Sequence, residues 1–259
     1  METRQLSKPA MDIIEGYIHF KIGEAICSVP YFNNKSAKKR ASFRTYIGKG
    51  SPDDIHDEIE TLLIKNHLKK DGLSNQDLKK FLIDNKIGIE CSGFVYHVLE
   101  AESVARNLGH LNKKIFFINC KGIIGKLRCS IRPIENCGVE TFASNENSRI
   151  IELQNVAPGD FITMTTSDSD NKDRNHILVI HEVQKENGQI AKIKYSHSIA
   201  YPEDGIYGTG IRQGVIEIDN IDLPITNAKW TESDLNKSTE PLLIRAKKSK
   251  TEIRRLNWF

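Results

Sequence analysis

His176-Ile-Leu-Val-Ile-His-Glu-Val183 is the most apolar strand-like run of the chain, and the polar stretch Ser167-Asp-Ser-Asp-Asn-Lys-Asp-Arg174 leads into it. Comparable runs surround it at Lys114–Asn119, Arg149–Leu153, Asp160–Thr165, Ala191–Ser198 and Gly214–Ile218, divided by Gly, Asn and Asp turns. Upstream the pattern changes to helical. Ser51-Pro-Asp-Asp54 reads as a capped helix start, with Ile55, Ile59, Leu62 and Leu63 on one face. That helix is expected to run to about Lys70 and to stop at Asp71-Gly72; a second starts at Ser74 and a third at Cys91. Helices gathered before strands predict an α+β fold, with N-terminal helices packed on an antiparallel β-sheet. The expectation is one domain over 1–259, with a helical elaboration at 50–87 and an extra segment at about 107–150.

Composition narrows the function. The 259 residues suffice for a full hydrophobic core, and 39% apolar with 27% charged residues is the balance of a soluble globular chain. A net charge of +3 is too small to call for nucleic acid. The basic concentration at Arg245–Lys250 and Arg254-Arg255 reads as a solvated edge or tail. No run approaches the ~18 apolar residues of a membrane span, and Met1–Pro9 lacks the apolar core of an export signal. Five cysteines (27, 91, 120, 129, 137) without paired spacing argue against structural zinc, and read as free thiols in a reducing cytoplasm.

One cysteine stands apart. In Gly88-Ile-Glu-Cys-Ser-Gly-Phe-Val95 a loop turns into a helix at Cys91. Unpaired N–H groups and the positive end of the helix dipole there favour a thiolate, so a lowered thiol pKa is expected. The Ser92 amide is positioned to help hold an oxyanion. A nucleophile needs a base, and the base needs an orienter. His176, at a strand start after the polar loop, is the candidate base. A hairpin through Glu186-Asn-Gly188 would bring His197 beside it, whereas His181 falls on the opposite face of a period-two strand.

These residues resemble the NlpC/P60 branch of the papain-like cysteine peptidases. The matching positions are Glu90-Cys91-Ser92-Gly93-Phe94-Val95, Pro158-Gly159-Asp160-Phe161, His176-Ile-Leu-Val-Ile180 and His197, with Pro30-Tyr31 matching a Pro-Tyr pair of the family. Glu90 departs from the usual Asp, and the spacing from His176 to His197 (197 − 176 = 21) is longer than usual. The resemblance implies a papain-like fold with Cys91 as nucleophile, His176 as base and His197 as its orienter. It also implies substrate contacts from Tyr31, beside Glu90 and Ser92 next to the nucleophile. The implied reaction is hydrolysis of an amide, in typical members within cell-wall (peptidoglycan) peptides. The expected partner is a peptide or amide substrate, without cofactor, metal, nucleic acid or membrane. Two other readings remain: an acyltransferase using the same Cys–His pair, and a non-catalytic peptide- or glycan-binding module on this scaffold.

Overall fold

A computed structural model describes residues 1–33, 44–118, 120, 122–166, 175–201, 205, 207–232 and 241–259, except the side chains at 126 and 128. Most of the basic run Lys35–Arg44 and the loop Ser167–Arg174 lie outside these residues. The chain begins with β1 (Glu2–Gln5), α1 (Lys8–Ile18) and a small hairpin of β2 (Phe20–Ile22) and β3 (Ala25–Cys27). Helices follow: α2 (Pro52–Lys65), α3 (Asn75–Asp84), α4 (Cys91–Ala105), α5 (Gly122–Ile131) and α6 (Val139–Ala143). The strands are β4 (Ser148–Ile150), β5 (Phe161–Thr165), β6 (His176–Glu186), β7 (Gln189–Ile199), β8 (Gly210–Glu217) and β9 (Lys229–Glu232). Helix α7 (Pro241–Lys248) and strand β10 (Lys250–Leu256) complete the order.

The result is a mixed α/β structure around one large antiparallel sheet, in the order β4-β10-β5-β6-β7-β8-β9, with β1 added to β6. Ser51 and Ser74 each close a capping box, with Asp54 and Asp77, and so start α2 and α3 where the sequence signals them. Asn187 and Gly188, at φ 53° and 82°, form the two-residue turn between β6 and β7. Positive φ at both positions matches the twist of the paired strands and fixes their register, with Val179 opposite Ser196.

That register sorts the side chains onto two faces. Ile177 and Val179 join the core made with α1 and α4, through Tyr17, Phe94, Val95 and Val98. Leu178, Ile180, Ile193 and Tyr195 join a second core with Trp230, Leu242 and Ala246. Both faces are therefore covered, and polar side chains inside either must find partners.

Four expectations are corrected. Helix α2 ends at Lys65 rather than near Lys70: His67 adopts φ 54° and the Leu68 N–H returns to the Leu63 carbonyl at 2.9 Å, which is a Schellman stop. Lys114–Ile118 is not a strand. The Asn147 side chain takes both backbone groups of Phe116, at 2.7 and 2.8 Å, in place of a neighbouring strand. The basic C-terminal region is no tail, because β10 lies inside the sheet between β4 and β5. Its two arginines are paired: Arg254 is buried against Ser148, Asn145 and Glu252, and Arg255 grips Asp160 with two bonds of 2.6 and 2.9 Å, while Lys247, Lys248 and Lys250 form the exposed edge expected. Finally, Cys120 and Cys129 form a disulfide with Cα atoms 6.3 Å apart, leaving Cys27, Cys91 and Cys137 free. The argument for a reducing compartment from unpaired thiols loses its premise.

Candidate active site

The segment before α4 is held from two sides. Ile89 makes a parallel bridge with Tyr31 and an antiparallel one with Lys49, while the Ile89 and Glu90 N–H groups donate to the Pro30 and Gly48 carbonyls, each at 3.0 Å. Gly93 is required there, since a Cβ would run into the Gly48 carbonyl. Helix α4 opens without a side-chain cap, so its first-turn amides point outward unclaimed by a neighbouring side chain.

Cys91 is buried, and its sulfur accepts from the Ile177 N–H, the amide directly after His176. Burial pushes its thiol up to about 11, and the Glu90 carboxylate adds to the rise. The Ile177 N–H, Lys49 and Arg245 oppose it without prevailing. The thiol is thus protonated at neutral pH, which corrects the expectation of a lowered pKa. The loss of water around the sulfur outweighs the helix start and the nearby cations.

The histidines form a chain. His176 Nε2 lies 2.7 Å from His197 Nδ1, and His197 Nε2 lies 2.6 Å from Glu232 Oε1. Tyr201 donates to the other carboxylate oxygen at 2.8 Å, and Tyr195 donates to Oε1 at 3.3 Å. Gly214 makes room for the last of these, because a Cβ there would collide with the Tyr195 ring. Burial alone would raise the Glu232 carboxyl; the His197 charge and the bonds from His197 and Tyr201 reverse that and hold it below its ordinary value. An ionised Glu232 accepts only, so His197 carries its proton on Nε2. In its neutral form His197 accepts at Nδ1 from His176 Nε2–H, which leaves His176 Nδ1 as a bare lone pair. That nitrogen makes no hydrogen bond among the described residues. Burial, then Arg245 and His197, keep His176 well below its ordinary pKa, so it is a neutral imidazole.

Cys91 packs in the core with α1 and α4, whereas the His176 ring lies on the other face of the sheet with His197; no hydrogen bond joins that ring to the sulfur among the described residues. What links the two sides of the site is the N–H of Ile177, next to His176 in sequence, on the sulfur. His181 sits apart on Ser196 Oγ at 2.9 Å, and His97 is buried on the Lys49 carbonyl at 3.0 Å.

Tyr31 is brought to the site. Burial first, then the charges of Cys91 and Glu90, raise its hydroxyl far above the ordinary value, which places it within electrostatic reach of both. Glu90 and Ser92 turn inward. Lys49 Nζ contacts Glu90 Oε1 at 2.5 Å, Ser92 Oγ at 2.8 Å and the Cys137 carbonyl at 2.6 Å, and Ser92 Oγ donates to Glu90 at 2.5 Å. Their side chains thus fix the helix start. Glu90, one methylene longer than Asp, has the reach for this buried triangle.

No family model, curated protein or solved structure matches this chain. Among the described residues, no three His, Cys, Asp or Glu side chains are grouped to hold a metal ion.

Sequence reasoning missed Glu232, Lys49 and Arg245. Glu232 shares a face with Trp230 in a short alternating strand, a weak signal without the register. Arg245 stands on α7, half-buried, and acts electrostatically on Tyr31, Cys91, His176 and Tyr201. It makes no ion pair or hydrogen bond among the described residues.

Proposed function

We propose that the protein is a cysteine amidase or peptidase on a papain-like scaffold of NlpC/P60 type. The observation that carries this reading is the chain Glu232–His197–His176, ending in a bare ring nitrogen on the residue whose neighbouring amide holds the Cys91 sulfur. In this mechanism the Cys91 S–H proton passes to His176 Nδ1 as sulfur attacks the amide carbonyl. The carbonyl oxygen, now negative, is met by the Ser92 N–H at the uncapped start of α4. Collapse breaks the C–N bond, the proton goes to the leaving amine, and a thioester remains on Cys91. Water, deprotonated by His176, then releases the acid and restores the thiol. Glu232 balances the transient imidazolium through His197 and prefixes the tautomer. Tyr31 would flank the substrate, and unpaired Arg245 favours an anionic group near the scissile bond, as peptides with free carboxylates provide.

A second reading, a peptide-binding module, is favoured by the buried thiol with its raised pKa. Cell-wall peptides bearing a D-glutamyl–diamino acid amide separate the two. Amine release followed by mass spectrometry should fall at least roughly a thousandfold in Cys91→Ala, with the peptide still bound. Binding without release by the unaltered chain would leave only the module.

A further inference from the structure

Helix α5 presents an apolar face to solvent. Ile123 is 88% exposed, Ile124 85%, Leu127 61% and Ile131 66%, with Phe116 nearby in sequence at 56%. At about 100° per residue these four helix positions fall within an arc of about 100°. Cys129 lies outside that arc and is buried, tied by its disulfide to Cys120. The crosslink therefore ties one side of the helix to the segment that leads into it, and the apolar side faces out. Four large apolar side chains on one exposed arc of a helix are a surface in want of an occupant.

Charge says which occupant. The stretch 113–132 holds six Lys or Arg (113, 114, 121, 126, 128, 132) and no Asp or Glu, against a net +3 for the whole chain. A second copy of the same face would bring two such clusters together, so self-association is opposed. A bilayer with anionic headgroups answers both properties at once: the exposed apolar side chains suit the headgroup–acyl boundary, and a segment with this excess of Lys and Arg in its sequence is drawn to the phosphates. We propose that α5 and Phe116 form a lipid-surface anchor that docks this protein on anionic membranes. The sequence reading excluded a membrane partner because nothing is long enough to span one; among the described residues no helix is. Lying on the surface needs no span.

The test is flotation of the full chain with vesicles of phosphatidylcholine alone or with roughly one-third phosphatidylglycerol. Binding should favour the anionic vesicles, weaken as salt is raised, and fall at least tenfold in Ile124→Ser/Leu127→Ser. Both substituted side chains are exposed, so an unchanged melting temperature is expected. Lys126→Glu/Arg128→Glu should lose the preference for anionic lipid. Cys91→Ala should bind normally, which separates this proposal from the catalytic one. Equal binding to both vesicle types, or binding to neither, overturns it. So does a lipid-free dimer or a helix-in-groove protein complex abolished by Ile124→Ser/Leu127→Ser in place of vesicle binding.

Discussion

Around Cys91 the polar partners are close along the chain or sit on one neighbouring bridge: Glu90, Ser92 and Lys49. Around His176 each partner comes from another strand or beyond it: His197 on β7, Glu232 on β9 and Tyr201 past the end of β7. The helix side buries the proposed nucleophile beside a tight ionic triangle. The sheet side ties the proposed base to a carboxylate through hydrogen bonds. Position along the chain thus sets the thiol, while strand register sets the imidazole.

Acid should break both regions. His97 on α4 and His181 on β6 are each held down to about 4, by burial above all. Unfolded, each would titrate near 6.5, so between these values the unfolded chain binds protons that the native one refuses. Their stability is intact above pH ~6.5 and lost as pH falls toward 4, by up to about 3 kcal/mol each. Urea unfolding at pH 7, 5.5 and 4 reads this directly; His97→Gln and His181→Asn should each remove part of the slope. A slope removed by only one of them would show that the regions do not share an acid limit.

Lys49→Met strips the helix side alone. Glu90 then keeps a charge in a nearly closed site without its cation, costing roughly 3 kcal/mol, and the thiol moves further up because Lys49 opposes the rise. Denaturant midpoints and the pH dependence of Cys91 alkylation measure the two effects. An unchanged midpoint would mean that the triangle holds nothing together.

Much of the helix side was readable in advance. Capping boxes, the Cys91 helix start and the Asn187-Gly188 turn depend on residues within a few positions of one another. His197 was within reach because one hairpin connects it to His176. Glu232 was not, because its place follows from β8–β9 pairing after a glycine that admits the Tyr195 ring. The buried arginines of β10 misled for a related reason. A charged residue looks solvent-facing until the carboxylate or carbonyl that satisfies it is known, and here those partners lie about a hundred residues away.

Glu232→Gln tests the sheet side. The amide keeps the shape but removes the charge that balances the imidazolium, so kcat should fall about a hundredfold with KM nearly constant. A change below twofold would reduce the His176–His197–Glu232 chain to scaffolding. The smallest effect is expected from Arg245→Ala, which touches both sides. Arg245 lowers His176 and also lowers Cys91, so both pKa values should rise on its removal. The acid limb of kcat/KM then moves to higher pH, and alkylation of Cys91 slows at fixed pH. A limb that stays in place would put Arg245 outside the site.

The position of β10 inside the sheet has a consequence for how the molecule is made. Ile253 pairs with Ile162, and Arg254 with both Phe161 and Ile150, so β4 and β5 have no partner on that side until residues 250–256 exist. During synthesis β5 would wait with an open edge beside the hairpin that carries both histidines. Closing it requires one of the longest-range pairings in the fold, the kind of step that slows folding and exposes strand edges to other chains. Chains stalled before Leu256 should hold their helices and leave the β4 and β5 edges open, which makes residues 250–256 a timer for closure of the sheet.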